Sequence, residues 1–108
     1  MRYFPVFADL RARTDLVVGG GEEALRKVRL LRKTEGRIVV VAADLHPELA
    51  ELEAMGGIHQ DARPFEPGMI EGAALVFACD AGTRETVSAA AMAANVPINA
   101  VDRADLST

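Results

Sequence analysis

Three consecutive glycines, Gly19-Gly20-Gly21, constrain the fold of this chain more than any other feature. They directly follow Leu16-Val17-Val18, an apolar run typical of a strand that is buried on both faces of a parallel sheet. From Glu22 to about Lys33 the apolar residues recur at helical spacing, which predicts an amphipathic helix. A buried strand, a glycine turn and a helix in this order indicate a Rossmann-type βαβ unit.

The remaining sequence continues the alternation of strands and helices. Further strands are predicted at 37–42, 58–62, 74–78 and 98–101, and residues 3–10 form an edge strand or a lead-in that Pro5 interrupts. Helices are predicted from Pro47 to about Met55 and from Thr83 to Ala94, with a short helical patch near residue 70. In the last helix the apolar face comprises Val87, Ala90, Ala91 and Ala94. The pattern predicts an α/β fold, a doubly wound parallel five-stranded sheet of order 3-2-1-4-5 with helices on both faces.

Size and composition narrow the functional classes. The 108 residues form one domain, 1–108, and the net charge of −4 lacks the basic excess that nucleic-acid binding needs. No apolar run approaches the roughly 20 residues of a membrane span, and the N-terminus lacks a signal-peptide pattern. A single cysteine, Cys79, excludes an internal disulfide. We therefore expect a cytoplasmic protein with neither nucleic acid nor membrane as its partner.

The glycine turn has the chemistry of a dinucleotide site. Gly19 to Ala24 matches G-x-G-x-x-[GA] between a strand and a helix. Gly19 permits the tight turn, Gly21 places no side chain between the backbone and a pyrophosphate, and Ala24 lets the helix approach the strand. The free N–H groups of the helix N-terminus then face the phosphates. The alternative is a glycine-rich turn without a ligand.

Two aspartates follow other strands. Asp44 comes after the second strand, where an acid that binds the ribose is expected, although it also suits the approach to the helix that Pro47 opens. No arginine or lysine occurs at 42–45, which favours NAD over NADP as the cofactor. Asp102 ends the fifth strand, where a carboxylate either accepts a proton beside the nicotinamide or serves as a helix cap or surface acid.

The cysteine and the histidines carry weaker signals. Cys79 ends the fourth strand and is either a buried small apolar residue or a reactive thiol in an electropositive setting. His46 and His59 lack the spacing of metal ligands, so we expect solvated loop or strand positions and no metal site.

Taken together, these motifs resemble the N-terminal region of the siroheme synthase family, the precorrin-2 dehydrogenase and sirohydrochlorin ferrochelatase module. The matching segments are 4–11, 16–22, 24–31, 64–65 and 99–102. They extend over nearly the whole chain, and the joined Gly-Gly-Gly and Arg-Lys-x-Arg-x-Leu-Leu pattern is far more specific than the glycines alone.

The resemblance implies an NAD-dependent oxidation of precorrin-2 to sirohydrochlorin, followed in many members by insertion of Fe²⁺. It places the cofactor at Glu22, Glu23, Ala43 and Asp44, beside the glycine loop, and makes Asp102 the catalytic acid-base group. It also implies a homodimer in the full-length form, through a C-terminal dimerisation and tetrapyrrole-binding region that this chain lacks.

One loop departs from the family pattern. The family usually shows Ala-Ala-Thr-Asp-Asp after the fourth strand, whereas residues 77–81 read Phe-Ala-Cys-Asp-Ala, so cofactor contacts expected from Cys79 are in question. The acidic substrate also needs a basic patch, to which Arg11, Arg13 and Arg63 are candidates to contribute. The alternative function is a non-catalytic NAD-binding module, a sensor or structural domain.

Overall fold

The structure is a computed structural model and describes residues 13–99. The predicted lead-in at 3–10, the far end of the fifth strand and Asp102 lie outside the described residues. Within the described range, five parallel strands form one sheet in the order β3-β2-β1-β4-β5. Their bounds are β1 Thr14–Val18, β2 Arg37–Val41, β3 His59–Asp61, β4 Leu75–Ala78 and β5 Ile98–Asn99. The predicted strand order is confirmed.

Three helices and two short 3₁₀ turns connect the strands. The helices are α1 Glu22–Leu31, α2 Pro47–Ala54 and α3 Arg84–Ala94, and the 3₁₀ turns are Pro67–Ile70 and Ala81–Thr83. Because α1 and α2 follow β1 and β2 while α3 follows β4, the chain winds outward in both directions from β1. This is the doubly wound arrangement, in which the switch in direction falls between β1 and β4.

The core is divided by the sheet into two layers. On one face, Val17 and Val40 pack with the apolar stripe of α1 and with Leu49 of α2. On the other face, Leu16 and Val18 pack with Ile70 and with α3. Adjacent β1 residues therefore contact opposite layers, which confirms a strand that is buried on both faces and helices that cover both faces.

Two helix ends differ from the predicted bounds. Helix α1 ends at Leu31, two residues early, because Thr34 closes its last turn with a backbone bond of 2.9 Å and a hydroxyl bond of 2.7 Å to the Leu31 carbonyl. Helix α3 begins at Arg84, one residue late, because Ala81–Thr83 forms a 3₁₀ turn before it; it ends at Ala94 and is capped by Asn95 in the left-handed conformation.

Two burial predictions are corrected by the structure. Ala94 was expected on the buried face of α3, but it is exposed in the last turn, while Val87 and Ala91 are buried. The apolar run predicted a first strand that begins at Leu16, but Thr14 and Asp15 also belong to β1, and Asp15 is fully buried. The Nε of Arg13 donates to Asp15 Oδ1 at 2.9 Å, which compensates part of the cost of burying that carboxylate.

Among residues 13–99, no helix is long and apolar enough to cross a membrane.

Candidate functional site

The glycine loop joins three strands at their carboxyl ends. The Gly19 N–H donates to the carbonyl of Val41, the last residue of β2, at 2.9 Å. The Cys79 N–H, just beyond β4, donates to the Val18 carbonyl at 2.9 Å. The His46 N–H donates to the Gly20 carbonyl at 2.7 Å. These bonds fix the loop between the segments that follow β2 and β4, at the edge where open α/β sheets bind ligands.

Gly19 and Gly20 are required by close packing. Gly19 has φ +130°, and a Cβ there would lie 2.8 Å from the Cys79 carbonyl oxygen. A Cβ on Gly20 would lie 2.1 Å from the Asp44 carbonyl oxygen and 2.9 Å from the Ala42 side chain. All three distances are too short for a Cβ, so these glycines let the neighbouring loops approach the turn.

Gly21 differs from the other two glycines because its surroundings are open. A Cβ built on Gly21 would meet no atom within 4 Å, and the residue is the N-cap of α1 without a side-chain capping bond. The first N–H groups of an α-helix have no partner inside the helix and carry its positive dipole end. This open space beside free N–H groups fits a diphosphate.

Glu22 and Glu23 occupy the first turn of α1, directly after Gly21. Glu22 is exposed, and the Glu23 carboxylate pairs with Arg26 at 2.8 Å. A carboxylate offers only acceptors to a phosphate, so contacts at these two residues must come from their backbone N–H groups.

The segment after β2 lies directly against the glycine loop. The side chain of Gln60 donates to the Ala42 carbonyl at 2.9 Å and to the Ala43 carbonyl at 3.3 Å, which holds this segment in place. Asp44 is exposed. The cap of α2 is His46, whose Nδ1 accepts from the Glu48 N–H at 3.1 Å, so Asp44 is not needed there and its carboxylate is free for a ribose. The ribose role of Asp44 stays a prediction.

Cys79 is half-buried and packs against the core layer that contains α1. Burial, with a smaller contribution from Glu23, raises the pKa of its thiol to about 11. A thiol with so high a pKa is protonated at neutral pH, which favours the apolar role over the reactive one. Its backbone lies directly against Gly19, and the cofactor contact predicted for Cys79 stays a prediction.

A cleft of about 280 Å³ opens beside these loops, at the carboxyl ends of β1, β2 and β4. Its volume is slightly below the range of about 300–1,000 Å³ for small-molecule sites, so it has room for only part of a dinucleotide. The cleft is mostly apolar, and its lining comprises Val18, Val41, Ala42, Ala43, Ala62, Arg63, Pro64, Phe65, Asp80 and Thr83.

Arg63 lines this cleft, although we expected it to have a different role. It was a candidate for the tetrapyrrole patch together with Arg11 and Arg13. Arg13 directly precedes β1 and binds Asp15 near the amino ends of the strands, whereas the cleft lies at their carboxyl ends. The structure therefore separates Arg13 from the cleft. Arg11 lies outside the described residues. Arg63 lines the cleft together with Ala42 and Ala43 because β3 pairs with β2. The predicted strand order already placed β3 beside β2, so this proximity could have been predicted from the sequence.

A groove of about 320 Å³ between α1 and α2 is larger than the cleft but lies away from the strand ends. An Arg29–Glu48 ion pair crosses it, and its other lining residues are Leu25, Arg32, Glu51, Leu52 and Met55. Neither the glycine loop nor any strand end contributes to this groove. No cluster of His, Cys, Asp or Glu side chains suited to a metal ion occurs between residues 13 and 99.

Comparison with known proteins indicates an NAD(P)-binding domain. A family model described as "Putative NAD(P)-binding" matches residues 6–108, which confirms the expected type of cofactor. A solved structure named "SirC, precorrin-2 dehydrogenase" superimposes with a TM-score of 0.75 over 87% of this chain and 47% of its own, at 24% identity. At that identity the superposition supports the fold alone.

Curated relatives confirm the resemblance that the motifs indicated. The siroheme synthase of Methylobacillus flagellatus is 47% identical over 110 residues, which cover 100% of this chain and 24% of the relative. Siroheme synthase 1 of Cronobacter sakazakii is 46% identical over 104 residues, 94% of this chain and 22% of the relative. The chain thus spans about a quarter of the length of these relatives. It belongs to the NAD(P)-binding family whose model it matches, and it is similar in sequence to siroheme synthases.

Proposed function

We propose that this chain is the NAD-dependent dehydrogenase domain that oxidises precorrin-2 to sirohydrochlorin in siroheme biosynthesis. The observation that carries the proposal is the open space at Gly21, beside the unpaired N–H groups that begin α1. The similarity to siroheme synthases supports the choice of substrate.

Binding and orientation follow from the described residues. The backbone of Gly21, Glu22 and Glu23 donates to the diphosphate. The segment at Ala43 and Asp44 receives the adenosine ribose, with the Asp44 carboxylate accepting from its hydroxyls. The absence of a cation at 42–45 favours NAD over NADP. The reacting ring then lies beyond β1, toward the ends of β4 and β5, across the switch point of the sheet.

The chemistry needs a hydride acceptor and a proton acceptor. Bound NAD⁺ supplies the first. We assign the second to Asp102, which follows β5 and lies outside the described residues: its carboxylate takes the proton that the substrate loses when the hydride leaves. The basis for this assignment is the family resemblance, together with the place of Asp102 after a strand whose carboxyl end points to the site.

Three extensions belong to the same proposal. Fe²⁺ is a second substrate if the domain also inserts metal into sirohydrochlorin, where a carboxylate would again remove protons, this time from pyrrole nitrogens. We also propose a homodimer and a cytoplasmic location. The support for these extensions is the resemblance to siroheme synthases.

The direct test is the conversion of precorrin-2 with NAD⁺, followed by the absorbance of the reduced nicotinamide. We expect one equivalent of NADH for each precorrin-2 consumed, and we expect Asp102→Ala to abolish turnover while NAD⁺ binding is kept. Full activity of the Asp102→Ala protein would remove Asp102 from the mechanism. NAD⁺ binding without any turnover would instead support a non-catalytic NAD-binding module, the function that the altered loop at 77–81 favours.

A further inference from the structure

Asp61 and Arg63 lie next to the segment that is expected to receive the adenosine ribose. Asp61 is the last residue of β3 and pairs in register with Val41, the last residue of β2. The Ala42 N–H donates to the Asp61 carbonyl at 3.0 Å. Two residues later, Arg63 lines the cleft together with Ala42 and Ala43.

The side chains of Asp61 and Arg63 form a paired, well-oriented unit. Arg63 Nε donates to Asp61 Oδ1 at 2.9 Å, and Nη2 donates to Oδ2 at 2.7 Å, the bidentate geometry of an arginine-carboxylate pair. The Arg63 backbone N–H adds a third bond to Oδ1 at 3.1 Å. This arrangement lowers the pKa of Asp61 to about 2, so the carboxylate is charged at every physiological pH.

Arg63 keeps donors for a further acceptor. A guanidinium carries five N–H groups, of which the pair with Asp61 uses two. The Arg63 side chain is 66% exposed, so these donors are accessible from the cleft. Among the residues that line the cleft, Arg63 is the only cation, and the other charged side chain, Asp80, accepts from the Thr83 hydroxyl at 3.1 Å.

In Rossmann domains, the groups that surround the adenosine ribose decide between the two nicotinamide dinucleotides. A carboxylate favours the free 2′-hydroxyl of NAD, and an arginine accommodates the 2′-phosphate of NADP. Here the two residues directly after β2 are alanines, and Arg63, two residues beyond the end of β3, lines the cleft together with them.

We propose that Asp61 and Arg63 together set the preference between NAD and NADP, with Arg63 facing the 2′ position of the adenosine ribose and Asp61 neutralising its charge. Arg63 donates to the ribose oxygens, and the carboxylate of Asp61 makes a dianionic 2′-phosphate unfavourable. The pair therefore selects NAD even though it contains the arginine that NADP requires. This inference rests on the proposed dinucleotide function.

The test is calorimetric titration of NAD⁺ and NADP⁺ into the wild-type chain and three variants. Asp61→Asn keeps the shape of the side chain but releases the arginine charge, so we expect the ratio of Kd values to shift toward NADP⁺ by about tenfold. In the double variant with Arg63→Gln that shift should disappear, which separates an effect through Arg63 from the simple loss of a negative charge. Arg63→Gln alone should shift the ratio toward NAD⁺, and it gives a second reading if Asp61→Asn folds poorly.

Glu48→Gln is the matched control, because Glu48 also pairs with an arginine on the surface but lies in the groove between α1 and α2. It should leave the ratio unchanged. An unchanged ratio in Asp61→Asn, or an equal shift with and without Arg63, would overturn this inference and leave the proposed function intact. Failure of the wild-type chain to bind either dinucleotide would overturn both.

Discussion

Replacing Gly20 by alanine should destabilise the fold, whereas the same change at Gly21 should not. A Cβ on Gly20 would lie 2.1 Å from the Asp44 carbonyl oxygen, and ordinary contact begins at 3.4 Å, so the two must separate by about 1.3 Å. The required movement also weakens the bond from the His46 N–H to the Gly20 carbonyl. The φ of Gly20 is not positive, so the cost is steric and not conformational.

The magnitude follows from these contacts. Overpacking costs about 1–3 kcal/mol, and a weakened hydrogen bond adds about 1 kcal/mol. The lower entropy of an unfolded chain with alanine returns about 0.4–1 kcal/mol. We therefore expect Gly20→Ala to reduce the free energy of unfolding by about 1–3.5 kcal/mol. Gly21→Ala, with φ −96° and an open environment, should stay within about 0.5 kcal/mol of the wild type.

Urea denaturation followed by circular dichroism measures both free energies of unfolding by linear extrapolation. The slope of the transition should be the same in all three proteins, so that a change in midpoint reports stability alone. Equal stability of the two alanine variants would refute the close packing of the glycine loop against the segment after β2.

Three further predictions concern side chains at or near the sheet. Because burial raises the pKa of Cys79 to about 11, iodoacetamide should react with it at pH 8 at least about tenfold more slowly than with a free cysteine peptide; an equal rate would contradict this. Arg13→Ala leaves the buried Asp15 carboxylate without its partner and should cost about 2–4 kcal/mol in urea denaturation, whereas unchanged stability would show that the pair contributes nothing. The pKa of Asp61 is lowered from 3.8, so the stabilisation from its pair with Arg63 is complete above that pH and is lost as the pH falls through about 2. The carboxyl resonance should titrate near 2 in the wild type and at a higher pH in Arg63→Gln, although still below 3.8 because the backbone N–H bond to Asp61 is kept; the same midpoint in both proteins would argue against the side-chain pair.

Sequence patterns predicted the sheet well because each buried strand is marked by a short apolar run of its own. An apolar run such as Leu16-Val17-Val18 has no polar face to expose, so a strand buried on both sides was the consistent interpretation. Short connections with helices then limit parallel strands to a few orders, and the predicted order is the one observed. The open position at Gly21 was likewise predictable, because the glycine motif lies between a strand and a helix.

Features that depend on tertiary contacts were harder to predict. Asp15 reads as a polar residue before a strand, and only the nearby guanidinium of Arg13 explains its burial within β1. Gly20 was predicted to bind the cofactor as part of the glycine loop, but its close approach to Asp44 was not predicted, because Asp44 is distant in sequence. The pair of Asp61 and Arg63 beside the segment after β2 was not predicted, because it comes from the neighbouring strand β3 and the residues that follow β2 do not indicate it. Local sequence patterns predict the strands and helices, whereas these contacts form between segments that are distant in sequence.

The central claim is that the main chain at Gly21 binds the diphosphate of NAD. Calorimetric titration of NAD⁺ into the wild-type chain and the Gly21→Ala variant tests it most directly, because the added methyl group enters the space that the diphosphate occupies while the fold is unchanged. We predict one NAD⁺ bound per wild-type chain and a Kd at least about tenfold higher in the variant, a loss of about 1.4 kcal/mol. Identical Kd values for a folded variant and the wild type, or no heat of binding in either, would contradict the account.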